Sequence, residues 1–165
     1  MMDFVVRPYR HGEEQYVADL HRRLYSGEYS WGPSFIDYAV KIALDFAKKD
    51  KGDGEELFVA EKDGTLIGCI MLCQTDDPDV GQLRLYAVEM DYRRYGVGTA
   101  LIDALMEKAK SAGYKKLILW TASPLTAAIR RYEKLGFRAT DSVENHTWST
   151  EGALVEEIKM EMDIE

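Results

Sequence analysis

The stretch Leu83-Arg84-Leu85-Tyr86-Ala87-Val88-Glu89-Met90-Asp91-Tyr92-Arg93-Arg94-Tyr95-Gly96-Val97-Gly98-Thr99-Ala100-Leu101 is the most informative part of this chain. It begins as an apolar strand and ends as the start of a helix. The loop between them carries two glycines, Gly96 and Gly98, beside the cations Arg93 and Arg94. Glycines let the backbone approach a ligand closely, and the free amide hydrogens of a helix's first turn favour an anion. The segment therefore predicts a cradle for a diphosphate.

Two well-known nucleotide-binding loops fit this segment poorly. A dinucleotide-binding loop of the Rossmann type requires a third glycine or alanine where Leu101 stands. It also requires an acidic residue at the end of the next strand, where the sequence reads Trp120-Thr121-Ala122. A P-loop requires Gly-Lys-Ser/Thr, which the stretch lacks.

The rest of the chain alternates between strand and helix patterns, which predicts one mixed α/β domain over residues 1–165. Local signals add detail: Ser34 and Asp37 predict a capping box, Ser123-Pro124 predicts a helix start, and Cys69 and Cys73 predict core thiols on one face of a strand. Strands are predicted at 3–8, 57–61, 66–74, 82–88, 116–121, 137–143 and 155–162, and helices at 13–25, 34–46, 98–112 and 123–136.

Composition narrows the function classes. The chain is 46% apolar and 30% charged, which is typical of a globule. Its net charge of −8 argues against a nucleic-acid partner, because phosphate binding needs a basic face. We find no signal-peptide pattern and no apolar run long enough for a bilayer, so we expect no membrane partner and a cytoplasmic protein. The three histidines have no metal-site spacing, so we expect no metal.

Two motifs resemble the signatures of the GNAT superfamily of acetyltransferases. The coenzyme A signature Arg/Gln-x-x-Gly-x-Gly/Ala is matched by Arg93, Gly96 and Gly98. A second signature, a helix ending in Tyr-x-x-x-Gly-Phe, is matched by Tyr132-Glu133-Lys134-Leu135-Gly136-Phe137. The element order resembles the family from end to end. The resemblance implies an α/β (α+β) GNAT fold, with a mixed, mostly antiparallel central sheet flanked by helices.

Other details are similar to the acetyltransferase halves of MarR-type regulator fusions. They are Leu24-Tyr25 followed by Glu28-Tyr29-Ser30-Trp31, then Gln82-Leu83-Arg84-Leu85, and the late His146-Thr147-Trp148. We find no winged-helix DNA-binding pattern beside them. This resemblance implies a catalytic module that stands alone.

The GNAT resemblance implies that the protein transfers the acetyl group of acetyl-CoA to a primary amine. The diphosphate would lie on the backbone amides of residues 95–99, and the end of the strand would pair with the pantetheine arm. The Val88 amide would polarise the thioester carbonyl. The implied cofactor-binding residues are Ala87, Val88, Arg93, Arg94, Tyr95, Gly96, Val97, Gly98 and Thr99.

Acetyl transfer requires a neutral amine and a proton for the departing thiolate. Tyr132 matches the family's tyrosine general acid, although its place on an apolar stripe equally fits core packing. Many relatives carry a glutamate as the base eleven residues before the Arg/Gln of the signature, where this chain has Gln82. Glu28 and His146 are our alternative candidates. A surface charge and a structural histidine are the simpler explanations for these two.

The segment 25–31 matches the part of the family that builds the acceptor pocket. Tyr25, Tyr29 and Trp31 would wrap the acceptor, and Glu28 would hold its ammonium group, unless the segment is a packed connection between helices. Arg84 would bind an acceptor carboxylate or pair with a glutamate.

Two other functions fit parts of the sequence. A non-catalytic acyl-CoA-binding sensor fits Gln82, whereas Tyr132 argues against it. A nucleic-acid-binding regulator disagrees with the net charge of −8. The acceptor stays open among small amines, amino acids, peptide N-termini and protein lysines, and a homodimer is common among relatives.

Overall fold

The computed structural model describes residues 3–24, 33–48, 54–145 and 155–164. This part contains seven strands and four α-helices in the predicted order. The strands are β1 (Val5–Pro8), β2 (Glu56–Lys62), β3 (Thr65–Gln74), β4 (Val80–Val88), β5 (Lys116–Ala122), β6 (Arg138–Asn145) and β7 (Val155–Asp163). The helices are α1 (Glu14–Arg23), α2 (Pro33–Lys48), α3 (Val97–Ser111) and α4 (Thr126–Leu135), with a 3₁₀ turn at Met90–Tyr92.

All seven strands form one sheet in the order β1-β2-β3-β4-β5-β7-β6. The β4–β5 pair is parallel, and every other pair is antiparallel. The expected mixed, mostly antiparallel sheet is therefore confirmed. No helix in the described ranges is long and apolar enough to cross a membrane.

Helices cover the two faces of the sheet and bury a separate apolar cluster on each. The cluster under α1 and α2 includes Leu20, Ala43, Leu57, Cys69, Met71 and Cys73. The cluster under α3 and α4 includes Leu101, Leu105, Leu117, Tyr132 and Met160. Cys69 and Cys73 are both buried in the first cluster, which confirms the prediction of core thiols on one face.

A β-bulge interrupts β4 at Leu85, which has a φ of 50°. Arg84 lies opposite Met71 on β3 and Ala87 lies opposite Cys69, so β4 holds one residue more than its partner between these two pairs. Leu85 packs into the cluster under α1 and α2, and Tyr86 packs against the other cluster. The bulge thus places Arg84 and Leu85 on the same face of the sheet.

The pairing of β4 with β5 ends just before this bulge. The two strands are joined only at Val80–Lys116, Gly81–Leu117 and Gln82–Ile118. Beyond Gln82 they separate, which leaves a gap in the middle of the sheet.

Two local predictions were wrong. Ser123-Pro124 does not begin a helix, because α4 begins at Thr126 after Leu125. Ser123 instead exchanges hydrogen bonds with Glu156: its amide donates to the Glu156 carbonyl (2.8 Å), and its hydroxyl accepts from the Glu156 amide (3.1 Å). Ser34 is not a cap, since α2 already begins at Pro33, a residue suited to the first helical position.

His21 is the buried histidine of α1, with 2% of its surface exposed. Its Nδ1 lies 2.8 Å from the Val17 carbonyl. Burial lowers the pKa of His21 to about 4, although the hydrogen bond with Val17 raises it. The imidazole is therefore neutral at pH 7.

We expect this histidine to make stability depend on pH. The unfolded chain takes up a proton on His21 as pH falls through about 6.5, whereas the folded chain resists protonation until about pH 4. The free energy of unfolding should fall in this window by up to about 1.4 kcal/mol per pH unit on this account. Urea titrations of His21→Leu between pH 7 and pH 5 should show a shallower decline than wild type.

The control is His11→Gln, because His11 is an exposed histidine of the same chain. It should decline as wild type does. Equal slopes for His21→Leu and wild type would contradict the assignment.

Candidate active site

A cavity of about 930 Å³ occupies the gap between β4 and β5. On the side of α3 and α4 it is lined by Arg93, Gly96, Gly98, Ala128, Arg131 and Tyr132. On the side of α1 and α2 it is lined by His21, Tyr38, Ile42, Gln82, Arg84 and Trp120. The cavity therefore connects the two faces of the sheet through the gap.

The glycine loop ends at the N-terminus of α3, as predicted. Gly96 is the N-cap residue, with a φ of 85° and no side-chain cap. The first intrahelical bond runs from the Ala100 amide to the Gly96 carbonyl at 3.0 Å. The amides of residues 97–99 precede this bond and have no intrahelical acceptor, so the turn offers donors to an anion.

Side chains around this loop differ in their access to the cavity. Arg93 and Arg94 line it, whereas Val97 is buried in the core and Tyr95 is exposed outside the lining. Val97 can thus serve a ligand at this opening only through its backbone. Arg94 has a φ of 73°, a left-handed conformation that glycine adopts most easily.

The first turn of α3 is closely packed at Gly98, so a side chain there would require its neighbours to shift. A Cβ at this position would overlap the Tyr86 hydroxyl and lie 2.5 Å from Arg131 Nη1. Arg131 donates a hydrogen bond of 2.6 Å to that hydroxyl, and its guanidinium lies 5.9 Å from the centroid of the Tyr86 ring. A third cation therefore stands over the helix N-terminus beside Arg93 and Arg94.

The bulge turns two backbone amides of β4 into the gap. The Leu85 carbonyl accepts a hydrogen bond from the Cys69 thiol at 3.1 Å, and the Ala87 carbonyl lies 3.0 Å from the Cβ position of Gly68. Both carbonyls thus point toward β3. Because the N–H and C=O of one peptide unit point in opposite directions, the amides of Tyr86 and Val88 point toward the opening between β4 and β5.

Tyr132 lies on α4 at the cavity wall. Only 7% of its surface is exposed. Its ring centroid is 5.8 Å from that of Phe137 and 6.3 Å from that of Tyr86. The residue therefore both packs in the core and reaches the cavity, so its geometry is compatible with packing and with proton transfer.

Comparison with known proteins places this arrangement in a family. The profile described as the acetyltransferase (GNAT) family matches residues 15–137. The chain belongs to the GNAT acetyltransferase family.

N-acetyltransferase 8B of Homo sapiens is 26% identical over 121 residues, which cover 70% of this chain and 53% of that protein. The chain thus spans about half the length of this relative. A solved GNAT acetyltransferase from Elizabethkingia anophelis with acetyl-CoA bound has a TM-score of 0.68 and 25% identity, and the match covers 97% of both chains. A GNAT acetyltransferase from Staphylococcus aureus has a TM-score of 0.81 at 14% identity, covering 99% of this chain and all of that one, which supports the fold alone.

On the face of α1 and α2, the cavity is lined by side chains from several strands and a helix. Gln82 and Arg84 of β4 both line this face. Trp120 lies across the gap on β5, and Val143 and Glu157 add β6 and β7 to the wall. Tyr38 lies on the helical side.

Several predicted residues lie outside the described part of the chain. They are Tyr25, Glu28, Tyr29, Trp31 and His146. Among the described residues there is no group of three or more His, Cys, Asp and Glu side chains that could hold a metal ion.

Sequence reasoning missed Tyr86, Arg131, Trp120 and Glu157 as cavity residues. Strand alternation gave a signal for Trp120, because Leu117 and Leu119 alternate with it and are buried. Arg131 adjoins Tyr132, but only the packing of α4 against the glycine loop makes it a cavity residue.

We expect a carboxylate at Gly96 to oppose coenzyme A. A Cβ there meets no atom within 4 Å, and aspartate is among the residues that best tolerate a positive φ, although the φ of 85° strains any side chain. The carboxylate of Gly96→Asp should compete with the diphosphate for the amides of α3. Acetyl-CoA affinity measured by calorimetry should fall by about tenfold or more relative to Gly96→Asn.

Gly96→Asn is the matched control, since asparagine and aspartate share size and tolerance of positive φ but differ in charge. Equal affinities for the two variants would place the diphosphate elsewhere.

Proposed function

We propose that this protein transfers the acetyl group of acetyl-CoA to a primary amine by direct attack in a ternary complex. The observation that supports it best is the gap in the sheet, where the amides of Tyr86 and Val88 point away from β3 into a cavity that Gly96, Gly98 and Tyr132 also line. Membership of the GNAT family supports the same reaction.

Coenzyme A would enter from the face of α3 and α4. Its diphosphate would accept hydrogen bonds from the amides of residues 95–99, close to Arg93, Arg94 and Arg131. Its pantetheine arm would run beside β4 at Ala87-Val88, in place of the missing pairing with β5. The Arg93 side chain donates to the Val88 carbonyl at 3.2 Å, a bond that fixes the end of the strand next to the loop.

The chemistry follows from these positions. The neutral amine attacks the thioester carbon, and the carbonyl oxygen becomes an oxyanion that the Val88 amide stabilises. The intermediate collapses, and the carbon–sulfur bond breaks. Tyr132 gives its proton to the departing thiolate, and the new amide loses a proton to a base or to water.

The base that accepts the proton of the acceptor amine has several candidates. Gln82 takes the place of the family's glutamate and accepts no proton at useful pH. Glu157 is the carboxylate among the described residues of the cavity wall, and it joins Glu28 and His146 as a candidate. His21 also lines the cavity, but a pKa of about 4 makes it a weak base at pH 7.

Three further predictions accompany this function. They are a cytoplasmic location, a homodimer, and closeness to the catalytic modules of MarR-type fusions. The rival function is an acyl-CoA sensor, favoured only by Gln82. Binding of acetyl-CoA without thiol release, across a panel of amines, would support the sensor over the transferase.

We expect Tyr132→Phe to lower kcat by about 10²-fold or more, since it removes the proton donor but keeps the ring and its packing. Acetyl-CoA affinity should change little. The measurement is steady-state thiol release with one good acceptor, after pre-steady-state kinetics have shown that product release does not limit the wild type.

Tyr114→Phe is the matched control. Tyr114 is also 7% exposed, and its hydroxyl donates to the Gly54 carbonyl at 2.8 Å, away from the main cavity. It should lose about 1 kcal/mol of stability and keep its kcat. A normal kcat in Tyr132→Phe would contradict the role of Tyr132 as a proton donor and leave it a packing residue.

A further inference from the structure

The acceptor end of the cavity has a chemical character that narrows the class of amine, given the proposed acetyl transfer. Gln82 and Ile118 are the last paired residues of β4 and β5. Two residues farther along, Arg84 and Trp120 lie on the same face, on opposite sides of the opening gap. A ligand entering from the face of α1 and α2 thus meets a guanidinium on one side and an indole on the other.

Arg84 is a half-buried cation that makes no side-chain hydrogen bond or ion pair with the described residues. Other arginines of α1 and β1 are paired: Arg7 with Glu13 and Glu61, and Arg23 with Glu89. Arg84 also lies on the face of the sheet opposite to α3, so the diphosphate cradle is not its partner. A carboxylate would satisfy its planar donors with two parallel hydrogen bonds.

Three large apolar side chains surround the same end of the cavity. Tyr38, Trp120 and Val143 are 46%, 41% and 50% exposed, and all three line it. They come from α2, β5 and β6, so three elements contribute exposed apolar surface to one opening. Such convergence is typical of a site for an apolar ligand group.

Charge also disfavours the alternative acceptors. A lysine in a basic peptide or a polyamine brings further cations toward Arg84. Glu157 lies opposite Val143 on β6 and Ala122 on β5, so it belongs to the wall of Trp120, across the gap from Arg84. Among the described residues that line this face of the cavity, Arg84 is the cation.

We infer that the acceptor is a small amine with a carboxylate close to its amino group and an apolar side group, the chemistry of a free apolar α-amino acid. Arg84 holds the carboxylate, Trp120 and Tyr38 pack against the side group, and the amine points through the gap toward Val88. Arg84 is the specificity-determining residue of this arrangement.

The test compares acceptors that differ by one group: L-phenylalanine, L-phenylalanine amide, phenethylamine, L-alanine and a lysine-containing peptide. Wild-type enzyme should acetylate phenylalanine with a kcat/KM about tenfold or more above the amide and phenethylamine, which lack the carboxylate. Alanine should lie below phenylalanine through a higher KM. Trp120→Ala should reduce this preference for phenylalanine over alanine.

Arg84→Gln should raise the KM for phenylalanine by about tenfold or more and change the kcat/KM for phenethylamine far less, because phenethylamine has no carboxylate. Arg138→Gln is the matched control, because Arg138 is exposed on β6 and outside the cavity lining. It should behave as wild type. If Arg84→Gln does not fold, the wild-type acceptor comparison still decides the question.

Equal kcat/KM values for phenylalanine and phenethylamine, or faster acetylation of the lysine peptide, would overturn this inference while leaving amine acetylation intact. An equal loss for phenylalanine and phenethylamine in folded Arg84→Gln would also overturn it. Acetyl-CoA binding without acetylation of any amine would instead refute the proposed function, and the inference with it.

Discussion

The bulge at Leu85 is the constraint on which the rest of this cavity depends. Without the extra residue, β4 would continue beside β5, and the amides of Tyr86 and Val88 would be used by the sheet. A left-handed conformation costs a leucine about 1–2 kcal/mol. The Cys69 thiol, which donates to the Leu85 carbonyl, and the apolar cluster around the Leu85 side chain offset this cost. The sheet thus gives up ladder hydrogen bonds at its centre and gains a gap with two free donors.

The cavity wall carries positive charge, whereas the whole chain is negatively charged. The net charge is −8, yet the cavity wall carries Arg84, Arg93, Arg94 and Arg131. A local field acts over a few ångströms in a site with low-dielectric walls, so the net charge does not decide what the site binds. The net charge predicts the absence of a broad phosphate-binding face, but it carries no information about an anion site of this size.

The order of elements and the glycine cradle could be predicted because both follow from local patterns, namely apolar periodicity and the Gly96/Gly98 spacing. The bulge could not, since neither Leu85 nor its neighbours favour a positive φ in isolation. The Ser123-Pro124 helix start failed for a related reason: the backbone of Ser123 is bound to Glu156, which lies far away in sequence. Arg131 and Tyr86 could not be predicted as cavity residues, because they meet only when α4 packs beside the loop. Local signals therefore predict the helices and strands, but they do not predict the non-local contacts that complete the site.

In the proposed function, the two faces of the sheet would recognise their ligands by different means. On the face of α3 and α4, coenzyme A would be bound largely by backbone amides of the loop and the bulge, which place few restrictions on side chains. On the other face the proposed acceptor would meet side chains, Arg84 and Trp120 among the described ones. A substitution on this face leaves the backbone donors of the first face in place. The fold can therefore keep one cofactor while its acceptor changes, because the gap joins the two ligands at a single point.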